Sequence, residues 1–367
     1  MSEFSSQDRR FMQRALQLAE RGRFGAHPNP MVGCVLVRDD DIVGEGWHPL
    51  AGEAHAEIYA LQDAGSMAEG ATAYVTLEPC AHHGKTPPCC DALIAAGVSN
   101  VVIAREDPNP KVNGQGIARL AKAGITVRTG LLQDAADLLM AGFLSRVSRG
   151  RPRVRLKIAA SLDGRTAMAS GESQWITGAA ARKDVQRLRA KAGAILTGIG
   201  TVLADDPALT VRDTEINPHN RQPLRVILDS RLRMPASARM LALAGETLIF
   251  CRESDNAVEL GEAGAEIVRL DSDSDSIDLV NVLEQLAGRE INDVLVEAGP
   301  TIAGQFLTQR LVDELVIYQA PKILGSETKG MATTPGWERL ADGLSLNIIE
   351  ITPVGDDIRI TAIPSAD

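Results

Sequence analysis

Over the first 145 residues, apolar positions alternate between helical and strand rhythms. Phe11, Ala15 and Leu18 share one face of a predicted helix, which Ser5 and Asp8 are spaced to cap and Gly22 to end. The apolar run Val32–Val37, the turn Asp39–Asp41 and the run Ile42–Trp47 predict a hairpin. A helix over Ala54–Ala64 stops at Gly65, a short buried strand covers Ala73–Leu77, and a helix over Pro88–Ala96 closes at Gly97. A strand at Val98–Ala104, a helix at Ile117–Ala123, a strand at Ile125–Arg128 and a helix at Leu132–Ser145 complete the series. The order α-β-β-α-β-α-β-α-β-α predicts a three-layer α/β/α sandwich.

Ser148–Pro152 (SRGRP) is basic, small and ended by proline, which marks a boundary between domains 1–149 and 150–367. Beyond it the pattern restarts with a strand at Val154–Ala160. Further strands are expected at Ala194–Thr197, Leu224–Leu228, Thr247–Phe250, Glu266–Leu270 and Val294–Glu297, and helices at Ala179–Ala190, Ile277–Ala287 and Ile302–Gln309. The tail offers strands at Glu314–Gln319, Leu346–Ile351 and Ile358–Ile363. Together these predict a second α/β domain, a mixed sheet with an antiparallel end. Asp271–Asp275 (DSDSD) reads as a polar loop.

Composition narrows the class. At 367 residues with 44% apolar content the chain can fill two cores, and it carries no run of 18 apolar residues, so no membrane span is expected. Met1–Arg10 is polar, unlike a secretory signal, and points to the cytoplasm. A net charge of −10 argues against nucleic acid as partner, while leaving room for a local phosphate pocket. Four of five cysteines and five of six histidines lie in the first 90 residues. An odd cysteine count without a signal argues against a disulfide framework, and the clustering points to a metal in the first domain.

Ala54–Glu57 (AHAE) opens a helix, and Pro79–Cys90 (PCAHHGKTPPCC) joins a strand to a helix. Catalytic zinc takes three soft protein donors and leaves its fourth position to water; His55, Cys80 and Cys89 supply the three. Glu57, two residues beyond the histidine, can reach that water. This is the H-x-E…P-C-x-x-C deaminase pattern, except that eight residues rather than two separate the cysteines. His82, His83 and Cys90 are therefore rival ligands. Cys89 is favoured over Cys90 because it follows Pro87-Pro88 at a helix start, where the dipole favours a thiolate. Cys34, inside an apolar strand, reads as core.

Two thiolates neutralise the zinc charge, so a nearby base is needed. Glu57 takes a proton from water and passes it to a ring nitrogen and then to the departing amine. Asn29, in HPNP, is placed either to hydrogen-bond a ring or sugar or to close a turn. In the second domain, Gly299-Pro300-Thr301 and Gly304 lie between a strand and a helix start, where backbone N–H groups can cradle a phosphate. Thr197–Gly200 and Asp205-Asp206-Pro207 mark a long polar loop. Arg189 and Arg212 are candidates for a substrate phosphate, or else solvated arginines.

HPNPMVGCVLV (His27–Val37), GEAHAE (Gly52–Glu57) and LEPCAHHGKTPPC (Leu77–Cys89) resemble the bifunctional riboflavin-biosynthesis deaminase–reductase family, as does the expanded cysteine spacing. RLKIAASLDGRTA (Arg155–Ala167), WITG (Trp175–Gly178), TGIGTVLADDPALTVR (Thr197–Arg212) and VEAGPTIAGQFL (Val296–Leu307) extend the likeness to about residue 365. The resemblance implies a cytidine-deaminase-like domain followed by a dihydrofolate-reductase-like domain. It implies zinc-dependent hydrolysis of the 2-amine of 2,5-diamino-6-(5-phosphoribosylamino)pyrimidin-4(3H)-one, then NADPH reduction of the ribosyl group to ribityl.

Carried over residue by residue, Ala159, Trp175, Thr201, Asp205 and Gly299, Pro300, Thr301, Ile302, Ala303, Gly304 and Gln305 would touch NADPH, with Ser230 near it. Ser173, Arg189, Leu209, Arg212 and Glu297 would touch substrate; Lys157 and Asp163 would aid protonation or orientation. The expected partner is a small phosphorylated pyrimidine, and the expected assembly a homo-oligomer of unspecified number. The rival readings are a tRNA deaminase with an unrelated tail, a zinc-stapled binding protein, and a non-catalytic second domain that only oligomerises.

Overall fold

The computed structural model of the chain describes residues 4–81, 87–109, 112–217, 220–253, 255–270 and 276–365. The 271–275 loop reading lies outside them. The chain divides into two compact units, Met1–Gly150 and Arg151–Asp367.

In the first unit the helices are α1 (Ser6–Ala19), α2 (Ala56–Ala64), α3 (Cys89–Ala95), α4 (Gln115–Lys122), α5 (Gln133–Leu139) and α6 (Ala141–Arg149). The strands are β1 (Gly33–Arg38), β2 (Asp41–Trp47), β3 (Thr72–Leu77), β4 (Asn100–Arg105) and β5 (Thr126–Thr129), in the order β2-β1-β3-β4-β5. Ser5 and Asp8 form the expected capping box on α1. Strand alternation sends Val35 and Val102 to one face, with Phe11, Leu18 and Phe143. Cys34, Leu36, Val101 and Ile103 go to the other, with Ala56, Ala60, Leu93 and Leu120. Helices cover both faces, which gives the three layers.

Two differences from the sequence reading stand out. The single helix expected over Leu132–Ser145 is α5 and α6, broken at Met140, whose backbone (φ −104°, ψ 17°) leaves the helical well. Ala136, Met140 and Phe143 stay buried across the break, so apolar spacing cannot reveal it. The other is the closeness of α2 to β2. A Cβ on Gly44 would lie 2.3 Å from the Ala60 carbonyl oxygen, and one on Gly46 2.2 Å from that of Ala56. Only glycine lets the helix rest on the strand backbone there.

In the second unit the strands are β6 (Arg153–Ser161), β7 (Arg165–Ala167), β8 (Ala194–Gly198), β9 (Leu224–Leu228), β10 (Thr247–Cys251), β11 (Ala265–Arg269), β12 (Asp293–Val296), β13 (Glu314–Ala320), β14 (Lys329–Gly330), β15 (Leu346–Val354) and β16 (Asp357–Pro364). The helices are α7 (Ala179–Lys191), α8 (Ile199–Asp205), α9 (Ala257–Glu262), α10 (Leu279–Gly288) and α11 (Pro300–Thr308). A nine-stranded sheet runs β11-β10-β9-β8-β12-β6-β13-β16-β15. It is parallel from β11 through β13, and β16 and β15 pair antiparallel, as the mixed pattern predicts. The Thr197–Pro207 region contains the short helix α8 where a polar loop was expected; Ile199 and Val202 are buried beneath it. At the sheet edge, β15 leaves Ile348, Ile349 and Ile351 exposed.

Candidate functional site

Helix α2 begins at Ala56, with His55 as its extended N-cap and Glu57 in its first turn. Cys89 opens α3 after Pro88, and Cys80 lies three residues beyond the end of β3. His55 Nδ1 is 3.2 Å from Cys89 Sγ and 3.7 Å from Cys80 Sγ, and the three donor atoms lie within 4.8 Å of one another. Tetrahedral zinc with bonds of about 2.1 Å to nitrogen and 2.3 Å to sulfur separates such donors by about 3.6 Å. The cluster is the one group of that kind among the described residues. One imidazole and two sulfurs suit zinc, and three protein donors leave a position open.

The two thiols are electrostatically unequal, and the expected pull of the helix start toward a Cys89 thiolate is outweighed. The Cys89 backbone N–H donates to Cys80 Sγ at 3.3 Å. Hydrogen bonding from Cys89, joined by His55, draws the Cys80 thiol down to about 4, while Cys89, holding the shared proton in a buried place, is pushed up. Glu57 is 3% exposed, and burial raises its carboxyl to about 7 against the opposing pull of His55. Its Oε2 is buried without a hydrogen-bond partner. A buried carboxylate oxygen beside three metal donors, not used by the protein's own hydrogen bonds, suits a group that handles the proton of a metal-held water.

The rival ligands separate. Cys90 turns away: its thiol donates to the carbonyls of Pro79 (3.2 Å) and Gly116 (3.6 Å), inside the core. Burial pushes it up to about 12. His82 and His83 lie outside the described residues. Cys34 is buried in β1 as expected.

Asn29 closes a turn, the second of its two expected roles, and also contacts a histidine of the chain. Its N–H closes a turn on the Ala26 carbonyl (2.8 Å), and its amide reaches His48 Nε2 (3.0 Å). His48 Nδ1 lies 3.0 Å from the Ala54 carbonyl, which can only accept, so Nε2 accepts from Asn29. The His48 ring meets that of His55 edge-on at 5.5 Å. Sequence reasoning passed over His48, although the crowding of histidines before position 84 was the signal that could have found it.

In the second unit, residues expected to bind ligand gather at the C-terminal ends of four adjacent parallel strands: Ser230 after β9, Thr201 after β8, Glu297 and Gly299 after β12, and Ala159 near the end of β6. Such ends are where open α/β sheets hold ligands. Glu297 pairs with Arg189 at 2.6 and 3.0 Å and with Lys157 at 3.3 Å. Burial alone would raise its carboxyl, but Arg189 and Lys157 overcome that and hold it at about 2. Arg189 also donates to the Thr210 carbonyl at 3.1 Å, so it is no solvated arginine. Arg212 is exposed and lines an open hollow with Arg182, Lys183 and Gln186.

Trp175 is 62% exposed; the Arg182 guanidinium stacks 4.5 Å from its ring centroid, and Lys322 donates to its carbonyl at 2.8 Å. Gln174 donates to Asp205 at 3.3 Å, tying two expected cofactor segments together. Ser173 is half-buried beside them.

Helix α11 starts at Pro300, two residues earlier than the Ile302 start predicted, with Gly299 as N-cap. No side chain caps it and no acid sits in its first turn. Its leading N–H groups are thus left for an anion, and a Cβ on Gly299 would meet nothing within 4 Å. This suits the pyrophosphate of a dinucleotide. Thr301 is exposed and Ile302 and Gln305 half-buried, but Ala303 and Gly304 face inward. Gly304 is small because the Thr333 backbone crosses it: a Cβ there would lie 1.8 Å from the Thr333 carbonyl oxygen.

Packing narrows the expectations for two further residues. The Leu209 side chain sits in an apolar core with Ile195 and Ile227, leaving only its backbone for contact. Asp163 accepts from Ser161 (2.5 Å), Leu324 N–H (3.1 Å) and Gly325 N–H (2.8 Å), and the Ser161 bond leads in holding it at about 2. It fastens a loop and carries no proton to give.

Comparison with known proteins bears on both units. Residues 5–105 match the cytidine and deoxycytidylate deaminase zinc-binding region, and residues 152–360 match the RibD C-terminal domain. A riboflavin biosynthesis protein RibD of Escherichia coli K12 is 53% identical over 361 residues, covering 96% of this chain and 98% of its own. A solved structure of Acinetobacter baumannii RibD superposes with a TM-score of 0.91 at 46% identity, over 98% of this chain and 99% of that one. A Thermotoga maritima structure described as a diaminohydroxyphosphoribosylaminopyrimidine deaminase/5-amino-6-(5-phosphoribosylamino)uracil reductase does so at 0.86 and 34%, with the same coverage.

Proposed function

The chain belongs to the RibD family of riboflavin-biosynthesis deaminase–reductases, and from that premise we propose how its residues divide the work. The protein is a bifunctional enzyme of riboflavin biosynthesis that uses zinc and NADPH. We assign the deaminase to 1–149 and the reductase to 150–367. The reactions are hydrolysis of 2,5-diamino-6-(5-phosphoribosylamino)pyrimidin-4(3H)-one and reduction of its product to 5-amino-6-(5-phosphoribitylamino)uracil.

The observation that carries the first half is the orphaned Glu57 Oε2 beside His55, Cys80 and Cys89. Bound zinc supplies Lewis-acid activation of the attacking water. Glu57, with a carboxyl near neutrality, would accept one proton of that water on Oε2 and deliver it to the ring nitrogen beside the reacting carbon; it would then take the second proton from the new hydroxyl and hand it to the amine, so that the C–N bond breaks to a carbonyl and ammonia. Asn29, its amide fixed by His48, orients the ring.

In the reductase, NADPH supplies the hydride. The Gly299–Ile302 helix start holds its pyrophosphate, and Trp175, Thr201, Asp205, Ser230 and Ala159 line its path. Arg212 takes the substrate phosphate; Ser173, the Leu209 backbone and the Arg189–Glu297 pair orient the ribosyl chain, with Lys157 the second cation on Glu297. Alignment rather than strong acid–base chemistry governs this step.

Self-association is part of the proposal, supported by the exposed isoleucines of the edge strand β15. Light scattering tests it, and a monomer at working concentration would end it. A cytoplasmic location is supported by five free cysteines and tested by cell fractionation. No helix of the described residues is long and apolar enough to cross a membrane. The deciding experiment offers the diaminopyrimidine nucleotide with NADPH and follows ammonia and NADPH absorbance together. Both signals are expected, with NADPH loss trailing ammonia. Ammonia released only from tRNA would end the deaminase assignment, and ammonia without NADPH loss the reductase assignment.

A further inference from the structure

Glu78 follows the last residue of β3 and precedes Pro79-Cys80, yet it is only 4% exposed. Among the described residues its carboxylate forms no salt bridge. Oε1 accepts backbone N–H groups of Gly116 (2.9 Å) and Ile117 (3.3 Å), and Oε2 accepts those of Gly114 (3.1 Å) and Asp107 (3.2 Å). One side chain thus gathers both ends of the segment between β4 and α4, including the first turn of α4. Two other contacts press that segment onto the Cys80 peptide. A Cβ on Gly116 would lie 2.1 Å from the Pro79 carbonyl oxygen, so the two backbones are in van der Waals contact. Cys90 bridges them from a third side: its thiol donates to the Pro79 and Gly116 carbonyls, and its N–H donates to the Cys80 carbonyl at 3.2 Å.

We propose that Glu78 is a positioning residue for the metal ligand Cys80, locking the Pro79–Cys80 backbone to Asp107 and to the Gly114–Ile117 turn with Cys90 as the second tie. The inference rests on His55, Cys80 and Cys89 holding the zinc. A carboxylate with two accepting oxygens suits four converging N–H groups, whereas an amide turns N–H donors of its own toward two of them. Groups that orient ligands without binding metal govern how long a metal stays, by about 10- to 100-fold in affinity when removed.

The test is Glu78→Gln in the full-length zinc-loaded enzyme. Zinc release to an excess of a colorimetric chelator is expected to quicken about tenfold, and the visible bands of the cobalt-substituted protein are expected to shift. A melting temperature lowered while release and cobalt bands stay parental is the merely structural outcome and overturns the proposal. If parental enzyme holds no zinc, the fault lies with the ligand assignment instead. Should E78Q fail to fold, Cys90→Ala decides. Release several-fold faster, with the sulfur-to-cobalt charge-transfer intensity unchanged, is expected because both ligand thiolates remain; parental release overturns the proposal.

Discussion

The two candidate sites are built on opposite plans. The deaminase centre draws on scarce residue types held at two helix starts, and its key oxygen, Glu57 Oε2, has no partner. The reductase site is assembled from common residues at four strand ends, and its charged groups are already matched, Glu297 against Arg189 and Lys157. The first site keeps a carboxylate oxygen for the reaction; the second matches its buried charges in advance and offers shape and N–H groups. Chemistry that moves protons through a metal-activated water needs the former, and hydride transfer between two bound organic molecules needs the latter.

Treatments aimed at one plan should spare the other. Stripping the metal with a chelator is expected to abolish ammonia release while NADPH oxidation on pre-deaminated substrate stays within about twofold, since no donor for soft metals is proposed in the second site. Loss of both activities would show that the units are energetically joined. Next in size, Glu57→Gln should lower deamination by about 10²- to 10⁴-fold with full zinc content by metal analysis; a smaller loss would remove Glu57 from proton transfer.

Glu297→Gln strands two cations in a buried place, and about 3–5 kcal/mol of destabilisation is expected in a melt of the reductase unit, with the deaminase little changed. The same pair predicts a pH dependence. The Glu297 carboxyl lies at about 2 in the fold and near 4.3 when unfolded, so its stabilising effect is complete above about 4.3 and is lost as pH falls toward 2. Acid titration should cost wild type more stability than E297Q over that range, the difference being the Glu297 share. The smallest effect is expected for Asn29→Ala, a rise of about tenfold in the deaminase KM, worth about 1.4 kcal/mol, with kcat less affected. A fall in kcat alone would place Asn29 in the chemistry rather than in binding.

The same contrast explains what the sequence could tell. Metal donors are few in kind and fixed in spacing, so His55, Glu57, Cys80 and Cys89 could be picked from residue types, and the strand–helix rhythm placed the longer elements to within two or three residues while missing β7, β14, α8 and α9. Three kinds of feature stayed hidden. The α5–α6 break keeps its apolar face continuous and leaves no mark on periodicity. The inward turn of Ala303 and Gly304 depends on Thr333, distant in sequence. The pairing of Asp163 with Leu324 and Gly325 and of Arg189 with Glu297 spans more than 100 residues, to which local pattern is blind. Resemblance filled that gap for the reductase contacts; residue chemistry alone had left its glycine turn undecided between a cradle and an ordinary loop.

The seating of α2 on Gly44 and Gly46 has a consequence for anyone mapping this enzyme by random substitution. Neither glycine touches the reacting atoms, yet any side chain there must lift the helix that carries His55 and Glu57. In a selection for deamination both positions should score as intolerant as the metal ligands and pass for part of the chemistry. A parallel screen for reduction would leave them unmarked. A map of essential positions, read without that second screen, would draw the catalytic centre larger than it is.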